Sequence, residues 1–260
     1  MKIYTKESLI EELKRLRDLG FVENGRFGNH GGIGNTLEDF LGITENNLPM
    51  PNAAEWELKT QRLGTTSLTT LFHIEPSPRA LRFVPAILLP QYGWPHQEAG
   101  LKYPETEMSF RQTIHGLAPS DRGFKVCIDE NERKVLISFQ SASVAARHAN
   151  WLEEVGRKVG LGELNPQPYW GFDDLAAKAG TKLPNCFYVQ AAVKRENGKE
   201  YYHYQRILKL TRFSFENFLQ GIREGFVLID FDVRTGHNHG TKFRLRQNRL
   251  PDLYDDVEEI

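Results

Sequence analysis

The chain has 260 residues, one large domain or two small ones, with 40% hydrophobic and 26% charged residues. That ordinary balance excludes a disordered or collagen-like chain. No apolar run approaches the roughly 18 residues of a membrane helix, and the charged N-terminus MKIYTKESLIEELKRLRD does not read as a signal peptide. Cys127 and Cys186 are too few for a disulfide framework, and no CxxC suggests zinc. The default expectation is a soluble cytoplasmic protein without a membrane partner. The net charge of −1 conceals segregation. Arg234, Lys242, Arg244, Arg246 and Arg249 occupy a stretch without acids, and Asp252, Asp255, Asp256, Glu258 and Glu259 follow without a base. On charge alone this is a solvated strand followed by a solvated tail.

In chain order, Thr5 can cap a helix through about Leu19, with Leu9, Ile10, Leu13 and Leu16 on one face. Residues 21–35, rich in glycine, read as an extended loop, and NTLEDFLGI as a short helix capped by Asn35 or Thr36 and ended by Gly42. AEWELKTQ alternates as a strand ending near Thr60, and SLTTLFHIE, residues 67–75, suggests another. Residues 76–104 carry six prolines and no clear period, which predicts a long surface excursion. A hairpin is expected from Phe124–Ile128 and Lys134–Phe139, then a helix over SVAARHANWLEEVGRK capped by Ser143, with Trp151 and Trp170 in the core. Asn197-Gly198 is a type I′ signal between two further strands. Ser214 starts a helix closed by Gly225, and VLIDFDVR and TKFRLRQ, joined by TGHNHG, are the last strands. Helices and hairpins alternate throughout, so the class is α/β or α+β with a mixed sheet.

The most informative stretch runs from Glu38 through Pro51, Asn52, Glu55, Glu57 and Lys59. On a strand, residues 55, 57 and 59 share a face. Two carboxylates and a lysine are costly to bury without a purpose. Divalent-metal chemistry on phosphodiesters supplies one: carboxylates hold the metal and a lysine orients water or stabilises developing charge. Alone, ExK is a weak motif, and most instances are solvent-facing charges.

The context is more specific. The pieces GGIGNTLEDFLGITENNLPMPNAAEWELKTQR, SLTTLF, RGFKVCID, RKVLISF, NWLEEV and IDFDVRTGHNHGTKFR together resemble the MvaI/BcnI family of restriction endonucleases, relatives of the mismatch-repair nicking enzyme MutH. They come in family order and span nearly the whole chain. The resemblance implies a restriction-endonuclease-like PD-(D/E)xK core, a mixed sheet flanked by helices, with a C-terminal β-rich recognition lobe. It places the catalytic lobe mainly in residues 1–140 and the recognition lobe mainly in 141–260, with the lobes interleaved. It implies a monomeric type II enzyme of a prokaryotic cytoplasm that cleaves double-stranded DNA with Mg²⁺, for which Mn²⁺ or Ca²⁺ substitutes in binding. A cognate DNA methyltransferase is expected in the same cell. A nicking enzyme, or a DNA-binding protein with a dead nuclease site, is the alternative.

Carried over residue by residue, Glu38 matches the helix glutamate near the metal, Glu57 the metal-binding glutamate and Lys59 the lysine of ExK. Asn52 stands where the family usually has an aspartate. It offers one neutral oxygen and removes a unit of negative charge. Three readings stay open: Glu55 substitutes, Asn52 is tolerated, or the site is inactive. Glu38, Asn52, Glu55, Glu57 and Lys59 are therefore the candidate catalytic residues, and Asn52, Glu55 and Glu57 the candidate metal ligands.

Near the C-terminus, Asp232, Arg234, His237, Asn238, His239, Thr241, Lys242, Arg244 and Arg246 crowd together. A metal reading of the two histidines is poor, because no acid or cysteine cluster adjoins them. A β-ribbon in the major groove fits better: arginine reads guanine O6 and N7, aspartate accepts from cytosine N4, and an Arg/Asp pair suits a G·C-rich site. The bland alternative is a basic hairpin closing a sheet edge. The loop with Arg26, Asn29 and His30 is a candidate minor-groove contact, its glycines permitting close approach, or else a plain connector. His73 is read as structural.

Overall fold

The computed structural model describes residues 4–25, 32–43, 55–246 and 248–260. Among them are six α-helices: α1 (Lys6–Asp18), α2 (Gly32–Leu41), α3 (Leu89–Tyr92), α4 (Ala149–Val159), α5 (Phe172–Lys182) and α6 (Phe215–Arg223). The strands are β1 (Val22–Glu23), β2 (Trp56–Arg62), β3 (Thr69–His73), β4 (Trp94–Pro95), β5 (Met108–Ile114), β6 (Phe124–Asp129), β7 (Lys134–Phe139), β8 (Tyr169–Gly171), β9 (Asn185–Glu196), β10 (Lys199–Phe213), β11 (Val227–Arg234), β12 (His237–Asn238), β13 (Lys242–Leu245) and β14 (Tyr254–Glu259). The mixed α+β class is as expected. The chain divides into two interleaved units, one of Met1–Thr69, Ala177–Asn217 and Arg246–Ile260, the other of Thr70–Ala176 and Phe218–Leu245.

The first unit holds a mixed sheet in the order β1-β10-β9-β2, with β14 also on β10. The β9–β10 hairpin turns at Asn197 and Gly198, both with positive φ (51° and 77°), as a type I′ turn demands. β2 joins β9 in parallel. One sheet face packs on α1 and α2: Leu9, Leu13, Leu16, Ile33, Leu37 and Leu41 bury against Trp56, Leu58, Phe187, Val189 and Tyr204. α1 starts where expected, because Thr5 Oγ1 accepts from Ser8 N and Ser8 Oγ accepts from Thr5 N. α2 starts earlier than its apolar pattern implied, at Gly32. Thr36 is no cap but buried, its hydroxyl donating to Asn24 Oδ1. Only glycine fits at 32, since a Cβ would lie 2.7 Å from Tyr202 Oη.

The acidic C-terminus is a paired strand rather than a free tail, although its acidic side chains are solvated as expected. β14 pairs with β10, and Glu258, Glu259 and Asp256 meet Lys209, Arg206 and Arg212.

The second unit holds a sheet ordered β3-β13-β11-β5-β4, with β12 on β11, and a three-stranded sheet β6-β7-β8. Its core is aromatic. Phe72, Phe218, Phe243 and Trp170 form one cluster, and Phe110, Phe124, Phe139, Tyr92 and Trp151 another. Both tryptophans are buried as expected, each donating its indole N–H to a backbone carbonyl, Trp170 to Ile74 and Trp151 to Tyr92.

Residues 76–104 are not a surface excursion. Phe83, Val84, Leu88, Leu89 and Tyr92 are buried, on a short π-helical turn (Val84–Leu88) that runs into α3. Pro85 and Pro90 sit in the first turns, where a missing N–H is tolerated. The Ser143-capped helix also differs: residues 141–148 form two 3-10 turns, and the α-helix begins at Ala149.

Candidate active site and polar sheet face

β2 alternates. Trp56 and Leu58 belong to the core with α1 and α2, so Glu57, Lys59 and Gln61 face the other way. Parallel pairing with β9 sets Cys186, Tyr188 and Gln190 beside them in register. Glu57 is 2% exposed. Lys59 Nζ lies 2.8 Å from its Oε1, and Lys182 Nζ 3.1 Å from its Oε2. A buried carboxylate alone costs several kcal/mol, and these ammonium groups offset that cost. The floor of the site is neutral. Burial pushes the Cys186 thiol far up, with Glu57 adding and Lys59 opposing, and burial together with Cys186 and Glu57 pushes the Tyr254 phenol up.

Glu57 and Lys59 are thus brought together as the spacing implied. Glu55 precedes the first strand residue and is exposed in the turn, so it does not extend the face of Glu57 and Lys59 as a strand residue. Glu38 is half-buried on α2. Asn52, Arg26, Asn29 and His30 lie outside the described residues. His73 ends β3 and is exposed. Sequence reasoning passed over Lys182, because α5 went unread. Its signal was present in FDDLAAKAGTKL: Asp173 and Asp174 in the first turn, and Leu175, Ala179 and Leu183 buried at a spacing of four.

Among the described residues, no three His, Cys, Asp or Glu side chains gather as a metal site. The donor chemistry of Glu57 nevertheless suits a hard divalent cation. Its Oε2 is a buried carboxylate oxygen that receives no hydrogen bond among the described residues, so Lys182 meets it as an ion pair by proximity and not as an aligned donor.

In the second unit, one face of the sheet is polar. Phe231 and Val233 of β11 point inward while Asp230, Asp232 and Arg234 alternate outward. β5 pairs Thr113, Arg111 and Ser109 with those three residues, and β13 contributes Lys242 and Arg244. Arg111 Nε lies 2.8 Å from Asp232 Oδ1, and Lys242 Nζ 3.4 Å from Oδ2. Asp230 receives Thr113 Oγ1 at 2.7 Å and Arg244 Nη1 at 3.2 Å. Arg234 reaches buried Glu107 at 2.9 Å and stacks over Tyr103. A depression of about 380 Å³ opens between Arg111, Gln112, Thr113, Asp232 and Lys242.

The remaining residues of the cluster have structural partners. His237 and His239 are exposed and meet edge to face at 4.2 Å. Asn238 donates to Glu75 and accepts from Gly240 N. Thr241 is wholly buried, its N–H and hydroxyl both donating to Glu75, so it presents no surface to a ligand. Arg246 is exposed and belongs to the first unit. Arg111 was missed because MSFRQTI follows a proline-rich stretch, although Ser109, Arg111 and Thr113 alternate with Phe110 and Ile114.

The fold is that of a restriction endonuclease. The chain is 25% identical to restriction endonuclease MvaI in its complex with cognate DNA substrate, with a TM-score of 0.77, covering 98% of this chain and 99% of that one. With MvaI in the absence of DNA it shares 25% identity and a TM-score of 0.55 over 100% of both chains. The chain belongs to the MvaI/BcnI restriction endonuclease family, whose description matches residues 10–254. That membership makes the protein a nuclease. Among curated proteins no sequence matches it. Among the described residues no helix is long and apolar enough to cross a membrane.

Proposed function

We propose that this nuclease is a type II, site-specific deoxyribonuclease of the PD-(D/E)xK kind that hydrolyses double-stranded DNA with Mg²⁺ as a monomer. The observation that carries the reading is the buried Glu57–Lys59 pair on β2. Glu57 would hold the cation through its carboxylate, with Glu55 and Asn52 as further candidate oxygen donors. When bound, the cation supplies charge neutralisation at the phosphate and acidifies water. Lys59, fixed against Glu57, directs its ammonium at the attacking water or at the charge that develops on phosphorus-bound oxygens. The neutral floor of Cys186 and Tyr254 keeps competing charge away.

The polar face of the second unit is the proposed base-reading surface. Arg111 and Arg234 offer paired donors suited to guanine O6 and N7, and Asp232 accepts from a cytosine amino group, which favours a G·C-rich site. Lys242, Arg244 and Arg246 suit phosphate contacts. A protein of this activity would share its cell with a protecting methyltransferase.

The test is plasmid DNA with Mg²⁺, with EDTA, and with Lys59→Ala. Discrete fragments are expected from the wild type with Mg²⁺ and none with EDTA. Lys59→Ala is expected to shift DNA in a gel about as well as the wild type while losing cleavage by at least about a hundredfold, because the lysine serves the transition state. Open circles alone would point to nicking, and a gel shift without cleavage by the wild type would point to a dead site at Asn52.

A further inference from the structure

We propose that Arg122 is a phosphate anchor which, with Gln112, takes one backbone phosphate of DNA beside the polar sheet face; this rests on the reading of that face as the DNA-contacting surface. Arg122 sits in the turn from Ser120 to Gly123, closed by Gly123 N donating to Ser120 O at 2.8 Å, just ahead of β6. Its Cζ lies 4.0 Å from the centre of the Trp94 ring and 4.8 Å from that of Trp151. Arg122 lines a depression of about 370 Å³ together with Trp94, Arg111, Gln112 and Thr113. Arg111, Gln112 and Thr113 also border the depression beside Asp232 and Lys242, so the two adjoin.

On the polar face, Arg111, Arg234 and Arg244 each meet an acid. Arg122 meets none: among the described residues it makes no ion pair and no hydrogen bond, and its Nη1 is buried without an acceptor. Asp121, its neighbour in sequence, pairs with Arg147 instead. Burial draws the Arg122 pKa below its ordinary value, and no acid among the described residues opposes that shift. The indoles hold the guanidinium by its faces, whereas its N–H groups lie in its plane, so stacking leaves every donor over. Gln112 repeats the pattern. Its Oε1 accepts from Ser120 Oγ at 3.0 Å, while its Nε2 is a buried donor with no acceptor. Buried unsatisfied donors are costly and uncommon, and two beside one depression call for a shared acceptor. A phosphate supplies several oxygens and a negative charge at once; the edge of a base supplies no charge. Stacking on two tryptophans also restricts the guanidinium, so little side-chain freedom is lost on binding.

A structural stack and a phosphate anchor differ in their response to salt. The experiment is fluorescence anisotropy of the full chain with a labelled random-sequence duplex in EDTA, over a range of salt concentrations, for the wild type, Arg122→Met, Gln112→Glu and Lys242→Ala, beside melting curves. Arg122→Met keeps an apolar stem against the indoles and removes the charge. It is expected to lower the slope of log affinity against log salt by about 0.9 and low-salt affinity by at least about tenfold, with a melting temperature near that of the wild type. Gln112→Glu keeps the acceptor for Ser120 and turns the unsatisfied donor into a charged oxygen in the same depression. It is expected to weaken DNA binding by at least about tenfold without lowering the melting temperature, because it offers Arg122 an internal counter-ion. If Arg122→Met leaves slope and affinity unchanged, or lowers only the melting temperature, while Lys242→Ala lowers the slope, Arg122 is a structural stack and the proposal falls while the face stands. If neither variant lowers the slope, the reading of the face itself fails and Arg122 with it. Should Arg122→Met not fold, Gln112→Glu decides alone, and unchanged affinity in that variant overturns the proposal.

Discussion

Asp232 is the hinge of the proposed recognition face, and replacing it has consequences of opposite sign for affinity and selectivity. Its two oxygens engage Arg111, itself 52% exposed, and Lys242. Asp232→Asn keeps the shape and removes the charge, so both cations lose their counter-ion. Each cation that engages a DNA phosphate contributes about 0.9 to the slope of log affinity against log salt. Two released cations steepen that slope by up to about 1.8, roughly a twelvefold greater loss between 50 and 200 mM salt. At low salt, affinity for a random duplex rises. The acceptor for a cytosine amino group disappears at the same time, so discrimination between cognate and scrambled duplexes falls by about 1–3 kcal/mol. Fluorescence anisotropy at several salt concentrations, in Ca²⁺, measures both quantities once the cut site has been sequenced from a digest. Fold stability is expected to fall by about 1–2 kcal/mol, because Arg111 is half-exposed but Asp232 and Lys242 are largely buried. An unchanged slope together with unchanged discrimination would refute the reasoning, because Arg111 and Lys242 would then not face DNA.

Arg234→Ala strips buried Glu107 of its ion-pair partner and is expected to cost about 2–3 kcal/mol in chemical denaturation, part of which Glu107→Gln restores in the double variant. Thr241→Val removes the hydroxyl that donates to Glu75 and is expected to cost about 1–2 kcal/mol, with DNA affinity near that of the wild type, since the side chain is buried. The Glu200 carboxyl is drawn from its usual 4.5 down to about 2, first by the hydrogen bond from Arg195, then by that from Tyr202 and by Arg62, against the cost of burial. A folded-state value below the unfolded one stabilises the fold above about pH 4.5, and that contribution is lost as pH falls toward 2. Wild type should therefore lose about 2–3 kcal/mol more than Glu200→Gln over that window, as read by denaturation at each pH. Equal acid sensitivity of the two proteins would refute that assignment.

Elements with a single local cause were legible in the sequence. Thr5 and Ser8 announce a capping box, Asn197-Gly198 a two-residue turn, and the alternation in VLIDFDVR a strand with one polar face. Elements that owe their existence to tertiary burial were not. The stretch from Pro76 to Pro104 lacks any period because Phe83, Val84, Leu88 and Leu89 are buried on an irregular helical segment rather than along one stripe. The acidic end reads as a free tail, yet it pairs with β10 and, still exposed, meets Lys209, Arg206 and Arg212. A strand held by backbone pairing to a partner some fifty residues away carries no local signature.

The same physics governs the two sites. Glu57 and Lys59 were legible because their partnership lies within one strand, two residues apart, and strand geometry alone puts them side by side. Lys182 and Arg111 were not, because they reach their acids across the fold. Counting charge along the chain made the C-terminal ribbon look like a free basic surface. In the folded protein Arg111, Arg234, Lys242 and Arg244 are each matched to Asp232, Glu107 or Asp230. This bears on how such a face would select DNA. A free cationic surface binds any phosphate backbone, whereas a face of paired charges binds only where the partner replaces each internal contact it disrupts. A wrong base leaves an arginine or an aspartate with neither its internal partner nor a new one, and unpaired groups of that kind are penalised more heavily than correct contacts are rewarded. On the proposed recognition face, selectivity would therefore depend on its acids as much as on its bases.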